Sequence, residues 1–161
     1  VDGVLTDGTV LMGNGVETKR FSIRDGLGMR MLQKEGIKVG WVSRRSSEAT
    51  AQRARDLKVD FLHQIEGNKV DAVEAILKET GLSWEQTCYI GDDVVDLGVL
   101  KRVGVAVSVA DAISEVKAVA DYVTETPGGL GAAREVIELI LKTQKRWERV
   151  VREYASLTGE R

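Results

Sequence analysis

An α/β fold with a parallel central sheet covered by helices on both faces is the architecture this sequence predicts. Three observations carry the prediction. Short apolar runs of strand length alternate with amphipathic helical stripes from Ile37 to Thr124. Glycine and acidic residues gather where those runs end, as in Cys88-Tyr89-Ile90-Gly91-Asp92-Asp93, and open α/β sheets hold their ligands at such strand ends. A length of 161 residues suits one domain, residues 1–161, with a sizeable core.

Composition narrows the possibilities. Apolar content of 43% and charged content of 30% are ordinary for a soluble globular chain. A formal charge of -2 argues against nucleic acid as the main partner, because binding a phosphate backbone wants a basic face. No apolar run approaches the ~18–20 residues of a membrane span, so no membrane partner is expected. The single Cys88 cannot form an internal disulfide, which suits the cytoplasm. His63 is the only histidine, which argues against Ser-His-Asp chemistry and multi-His metal sites.

The chain opens on Val1-Asp2-Gly3-Val4-Leu5-Thr6-Asp7-Gly8, an acidic, glycine-punctuated segment of the kind that follows a buried strand. Such a strand is expected ahead of Val1. Residues 9–21 read as a β-hairpin that turns at Gly13-Asn14-Gly15. Asp25-Gly26 is expected to cap a helix that carries Leu27, Met29, Met31 and Leu32 and ends near Gly36. Ile37 to Ser43 is a buried strand, and Ser46 or Ser47 caps a helix through Leu57. The strand Val59 to Leu62 follows, then a helical stripe of Ala72, Val73, Ile76 and Leu77 closed by Gly81. Cys88 to Ile90 is a strand running into Gly91-Asp92-Asp93 and a helix through Leu100. The strand Val103 to Val107, the helix Ala112 to Ala120 and the strand Tyr122 to Thr124 complete the alternation. The tail, residues 128–157, carries an apolar face from Ala132 to Tyr154. It packs on its own domain or docks on another subunit.

Four features can carry chemistry. In Gly91-Asp92-Asp93-Val94-Val95-Asp96 three carboxylates repel one another, by roughly 3 kcal/mol per pair at about 5 Å and an effective dielectric near 20. A cation bound by oxygen ligands, such as Mg²⁺, would relieve this, and Asp2 at a second strand end can share it. Lys69 stands in the first turn of a helix, where a cation opposes the dipole unless it faces an anion. Ser43 ends a strand before Arg44 and Arg45, and a hydroxyl with nearby N–H groups at such a point suits phosphate oxygens. Arg24, Arg30, Arg44, Arg45 and Arg53 cluster around two loops of an otherwise slightly acidic chain, which points to a small anionic substrate. Gly128-Gly129-Leu130-Gly131 lacks the setting of a dinucleotide fingerprint and reads as a loop beside the site.

Taken in order, Asp-Gly-Val-Leu-Thr-Asp-Gly, Ser43, Lys69 and Gly-Asp-Asp-x-x-Asp resemble the four motifs of the haloacid dehalogenase (HAD) superfamily phosphatases. Ser22-Ile23-Arg24-Asp25-Gly26-x-Gly28, Gly67-Asn68-Lys69, Ala110-Asp111-Ala112, Ala120 to Thr124 and Gly128-Gly129 are similar to the 3-deoxy-D-manno-octulosonate 8-phosphate phosphatases, over nearly the whole chain. The resemblance implies a Rossmann-like HAD fold with a parallel central sheet, a β-hairpin insert after the first motif and no cap domain. It implies a Mg²⁺-dependent phosphomonoesterase that forms an aspartyl-phosphate and serves lipopolysaccharide biosynthesis. Asp2 is then the general acid/base, and the nucleophile is an Asp immediately before Val1. Mg²⁺ is held by that Asp, the Asp2 backbone carbonyl and Asp92, with Asp93 and Asp96 in support. Ser43 and Lys69 take the transferring phosphoryl group. Ser22, Ile23, Arg24, Asp25, Gly26, Arg30, Arg45 and Arg53 contact the sugar acid or a neighbouring loop. The implied assembly is a homotetramer with the hairpins at its centre.

Two positions depart from the family pattern: Arg44 stands in place of a Gly, and Leu130 in place of an Arg. Arg45 favours the eight-carbon sugar acid over nine-carbon sialic-type acids, whose phosphatases tend to carry Glu there. The alternatives are a phosphatase for such a nine-carbon acid or another sugar phosphate, and a non-catalytic HAD-fold binding domain. A receiver-like signalling domain is disfavoured because its paired acids come before its Lys, whereas here Asp92 and Asp93 follow Lys69.

Overall fold

The computed structural model describes residues 1–156, so the last residue of the expected tail, at position 157, lies outside the described residues. The opening segment forms a tight loop, in which the Val1 carbonyl accepts from the N–H groups of Leu5 at 2.8 Å and Val4 at 3.2 Å. The hairpin follows as β1 (Leu11–Gly13) and β2 (Val16–Thr18), antiparallel, with Met12 opposite Glu17. Its two-residue turn has Asn14 at φ 52 and Gly15 at φ 75, the twist that matches paired strands.

Helix α1 spans Ile23–Lys34. Its N-cap is Ser22, whose hydroxyl accepts from the Asp25 N–H at 3.3 Å, so the helix begins earlier than the expected cap at Asp25. Strand β3 (Gly40–Ser43) leads to α2 (Glu48–Leu57), capped by Ser47 as expected. Strand β4 (Phe61–Gln64) pairs parallel to β3 and lies later in the chain than the apolar run suggested, since polar His63 and Gln64 pair with Val42 and Ser43. Helix α3 (Lys69–Thr80) is capped by Asn68 at its start and Gly81 at its end. Strand β5 (Cys88–Gly91) is followed by a single 3₁₀ turn (Val94–Asp96) and the short α4 (Leu97–Leu100). Strand β6 (Val105–Ser108), α5 (Ser114–Lys117) and β7 (Tyr122–Val123) complete the alternation. Helix α5 is one turn long rather than the run from Ala112 to Ala120. Ala112 and Ile113 instead spend their N–H groups on the carbonyls of Val109 and Asp92.

The tail is two helices, α6 (Ala132–Thr143) and α7 (Trp147–Ser156). The break lies at Lys145, whose left-handed φ of 57 stops α6. Helix α7 lies on the same domain: Val150 is buried, Lys34 stacks on the Tyr154 ring at 4.4 Å, and Glu35 receives Arg149 and Arg146.

The parallel strands form two half-sheets, β3-β4 and β5-β6-β7, with no main-chain ladder between β3 and β5. An apolar slot of about 680 Å³ separates them, lined by Val1, Val39, Trp41, Tyr89, Ile90 and Ile137 among others. The core surrounds it, with Met31, Val109, Val116 and Leu141 essentially buried, and Val73, Leu77 and Val99 form a second cluster under α3. No helix among the described residues is long and apolar enough to cross a membrane.

Candidate active site at the ends of the parallel strands

Ser43 ends β3 and Gly91 ends β5, and the loops that follow these two strands both reach the opening loop, through Arg45 and Asp92. The opening loop crosses between them. Thr6 is buried and its hydroxyl accepts from the N–H groups of Gly3 at 3.4 Å and Gly8 at 3.3 Å, which folds the loop onto itself. The Gly128-Gly129 loop then docks on it from the side, with the Gly129 N–H donating to the Val4 carbonyl at 2.9 Å and the Gly128 N–H to Asp111 at 2.9 Å. A Cβ on Gly128 would overlap the Gly3 carbonyl, so only glycine allows the two backbones to touch. The glycine pair is therefore a loop beside the site, as its sequence setting suggested.

Asp92 reaches the opening loop from the other side. Gly3 has φ 80, and a Cβ there would overlap the Asp92 carboxylate, which lies against the Gly3 backbone. Burial first, and Asp96 second, push the Asp92 carboxyl up to about 6. Among the described residues it has no ion-pair partner, and no donor reaches the Asp2 carbonyl. Two hard oxygen ligands of this kind suit a cation such as Mg²⁺.

The three-carboxylate cluster does not act as one cage. No group of three His, Cys, Asp or Glu residues gathers to hold an ion among the described residues. Asp93 caps the following turn through the Val94 N–H at 2.7 Å. Asp96 is buried; its Oδ1 accepts from Lys69 Nζ and from the Tyr89 hydroxyl, each at 2.7 Å, and its Oδ2 from the Asp92 N–H at 3.1 Å. Burial works against the charge on Asp96, but the Lys69 ammonium and these donors outweigh it and hold its carboxyl below the usual range. The anion that the sequence required for Lys69 is thus Asp96, and part of the expected repulsion is relieved by protein groups rather than by an ion.

Asp2 sits in a ring of charges that the sequence reading did not assemble. Its Oδ1 accepts from Lys19 Nζ at 2.6 Å and its Oδ2 from Arg45 Nε at 3.4 Å. Glu17 closes the ring, taking Arg45 Nη2 at 2.6 Å and lying 3.5 Å from Lys19 Nζ. Burial raises the Asp2 carboxyl, yet Lys19 and Arg45 prevail and hold it below the usual range. Ser43 joins this group through Arg45: its hydroxyl accepts from the Arg45 N–H at 3.3 Å. Lys19, Glu17 and Thr50 were missed. The signal was the strand alternation of Val16-Glu17-Thr18-Lys19, which puts an acid and a base on one face beside the Asp-Gly motif.

The remaining predicted residues lie on a different group of contacts. Asp25 is buried, and its Oδ1 accepts the Arg134 N–H at 2.8 Å, at the start of α6. A Cβ on Gly26 would stand 2.6 Å from Arg53 Nη2, so this glycine lets α1 and α2 close together. Arg30 donates to the Leu57 carbonyl at 3.2 Å and ties the same two helices. Ile23 and Arg24 are exposed at the start of α1, beside the Ser22 cap. Of the departures, Arg44 is exposed and reaches the Glu66 carbonyl at 3.4 Å, and Leu130 is 61% exposed.

The chain is similar in sequence and fold to known proteins. Residues 61–135 match the model of the haloacid dehalogenase-like hydrolases. The 3-deoxy-D-manno-octulosonate 8-phosphate phosphatase KdsC of Escherichia coli K12 is 41% identical over 145 residues, 89% of this chain and 77% of that protein. Its Yersinia pestis counterpart is 42% identical over 149 residues, covering 92% and 80%. A crystal structure of the Moraxella catarrhalis phosphatase, in complex with magnesium, phosphate and KDO, superposes with a TM-score of 0.93 at 37% identity, over 96% of this chain and 89% of that one. The cobalt-bound phosphatase of Haemophilus influenzae gives a TM-score of 0.88 at 40% identity, over 91% and 86%.

Proposed function

Because the chain belongs to the haloacid dehalogenase-like hydrolases, among the 3-deoxy-D-manno-octulosonate 8-phosphate phosphatases, we propose that it hydrolyses that sugar-acid phosphate to the free acid and inorganic phosphate. The observation that carries the reading is the meeting of Asp2, Asp92 and the Lys69–Asp96 pair around one loop at the strand ends.

The family motif assigns the nucleophile to an Asp directly before Val1, at the end of a strand. The slot between β3 and β5 suits such a strand, with Val1 among the residues that line it. In the first step the nucleophile's carboxylate oxygen bonds to phosphorus, the bond from phosphorus to the sugar oxygen breaks, and the Asp2 carboxyl gives its proton to that oxygen. An arriving phosphate ester adds negative charge beside Asp2, which favours its protonated form for this step. In the second step Asp2, now a carboxylate, takes a proton from the water that attacks phosphorus and frees phosphate. Lys69 and the Ser43 hydroxyl hold the phosphoryl oxygens. Asp92 and the Asp2 carbonyl, two hard oxygen donors, would hold Mg²⁺, with Asp93 and Asp96 fixing the turn that carries Asp92. Bound there, the ion neutralises phosphoryl charge.

Arg45, half-exposed beside Asp2, is the arginine best placed to meet the substrate carboxylate, with Ile23 and Arg24 available to it or to a neighbouring subunit. Asp25, Gly26, Arg30 and Arg53 act one layer behind, by fixing α1 against α2 and α6. A homotetramer is supported by the apolar hairpin, on which Leu11, Met12 and Val16 are more than 60% exposed. A cytoplasmic location fits the free Cys88.

The test is release of inorganic phosphate by the full-length protein with Mg²⁺ across a panel of sugar phosphates. The expected result is the highest kcat/KM for the eight-carbon 3-deoxy acid. Equal rates on phosphates that lack a 3-deoxy acid would overturn the assignment, and preference for a nine-carbon acid would replace it.

A further inference from the structure

Resting on that reading of Asp2, we propose that Lys19 is the positioning residue for the Asp2 carboxyl, and that Glu17 holds Lys19 and Arg45 in register to do so. The Lys19 side chain has no exposed surface, although it belongs to the segment just after the solvent-exposed hairpin. A lysine loses its hydration only where something replaces it. Here the replacements are Asp2 Oδ1 at 2.6 Å, the buried Thr50 hydroxyl at 3.0 Å and Glu17 Oε1 at 3.5 Å. Two hydrogen-bond acceptors and a nearby carboxylate surround the ammonium, which fixes its direction as well as its place.

The far side of the ring is equally tied down. Glu17 accepts from the Ser47 hydroxyl at 2.5 Å and from Arg45 at 2.6 Å, and Ser47 caps α2 through the Thr50 N–H at 3.2 Å. Both Lys19 and Glu17 therefore rest on the first turn of α2. Each oxygen of Asp2 faces one cation of this ring, so the plane of its carboxyl is set by groups that do not themselves touch phosphorus. Proton transfer to a leaving oxygen depends on that orientation. A leaving group that departs without a proton does not.

The test compares two substrates in the full-length protein: the sugar-acid phosphate, an alkyl ester that needs its leaving oxygen protonated, and p-nitrophenyl phosphate, which does not. The quantity read is kcat/KM, since it reports the steps through phosphoryl transfer. In Lys19→Met the ratio of alkyl to aryl kcat/KM is expected to fall by at least about tenfold, and Lys19→Arg is expected to restore most of it. An equal fall for both substrates, or no fall, would overturn the proposal. Crystal structures of the Met and Arg variants provide an arm that needs no turnover: the Asp2 carboxyl is expected to leave its place in the first and keep it in the second. An unmoved Asp2 in Lys19→Met overturns the positioning role. A wild-type protein that cleaves neither substrate overturns the phosphatase assignment separately, and the crystal structures still decide the role of Lys19.

Discussion

The Lys69 ammonium and the Asp96 carboxylate meet at 2.7 Å, both buried, between the first turn of α3 and the turn that follows β5. A lysine in that helical position opposes the dipole, so the pair is what makes the position tolerable. It also joins the two half-sheets across the candidate site, because α3 follows β4 and Asp96 follows β5.

Replacing Lys69 by Met leaves Asp96 buried without its cation. The expected loss is about 3–5 kcal/mol of unfolding free energy, measured by urea denaturation. The double variant Lys69→Met, Asp96→Asn is expected to be less damaged than the sum of the single ones, since it removes both charges together. A single-variant loss below about 1 kcal/mol would deny the pair its structural weight.

Gly128→Ala places a Cβ on the Gly3 carbonyl, and the obstacle is backbone, not the movable end of a side chain. A destabilisation of about 1–3 kcal/mol is expected, seen as a lowered melting temperature, together with a fall in phosphate release as the opening loop shifts. Unchanged stability and turnover would mean that the two loops are not in contact in solution.

Asp60 supplies a pH test far from the catalytic groups. Burial raises its carboxyl, but the Val39 N–H at 3.0 Å, Gln33 and Lys38 outweigh that and hold it below 3.8. A carboxyl with a depressed folded pKa contributes stability above its unfolded pKa and loses it as pH falls through the folded one. Asp60→Asn is therefore expected to cost about 1–2 kcal/mol at pH 7, with the difference from wild type shrinking below about pH 4. Denaturation midpoints measured across that range check the sign; a constant difference would contradict it.

The hairpin offers a test of assembly. Leu11→Asp with Met12→Asp charges a surface that is 64% and 69% exposed at those residues in the single chain. If the hairpins meet in a tetramer, light scattering on the double variant is expected to give a smaller mass than wild type. Identical masses would place the interface elsewhere.

Much of the local structure was legible because its causes are local. Ser47 and Gly81 end their helices through contacts within a few residues, and Asn14-Gly15 turns the hairpin by its own backbone preferences. Ser43 and Asp92 stood out because one ends a strand and the other follows one, Lys69 because a cation in a first helical turn needs an anion, and Asp2 chiefly through the family resemblance. Less legible were the lengths of α5 and of the tail. There a continuous apolar stripe was interrupted by main-chain contacts at Ile113 and by a left-handed Lys145 that the stripe does not encode.

By itself, then, the sequence determined the α/β alternation, the loops that carry the motifs and the type of chemistry those loops can carry. Only the tertiary structure decided which charges meet. Asp25 binds the Arg134 N–H across 109 positions, Arg45 reaches Asp2 across 43, and Lys19 turns inward to Asp2 rather than out to solvent. The physical reason is that a charged side chain carries no address in the chain: its partner is chosen by burial, which withdraws water and leaves the nearest opposite charge or hydrogen-bond donor to replace it.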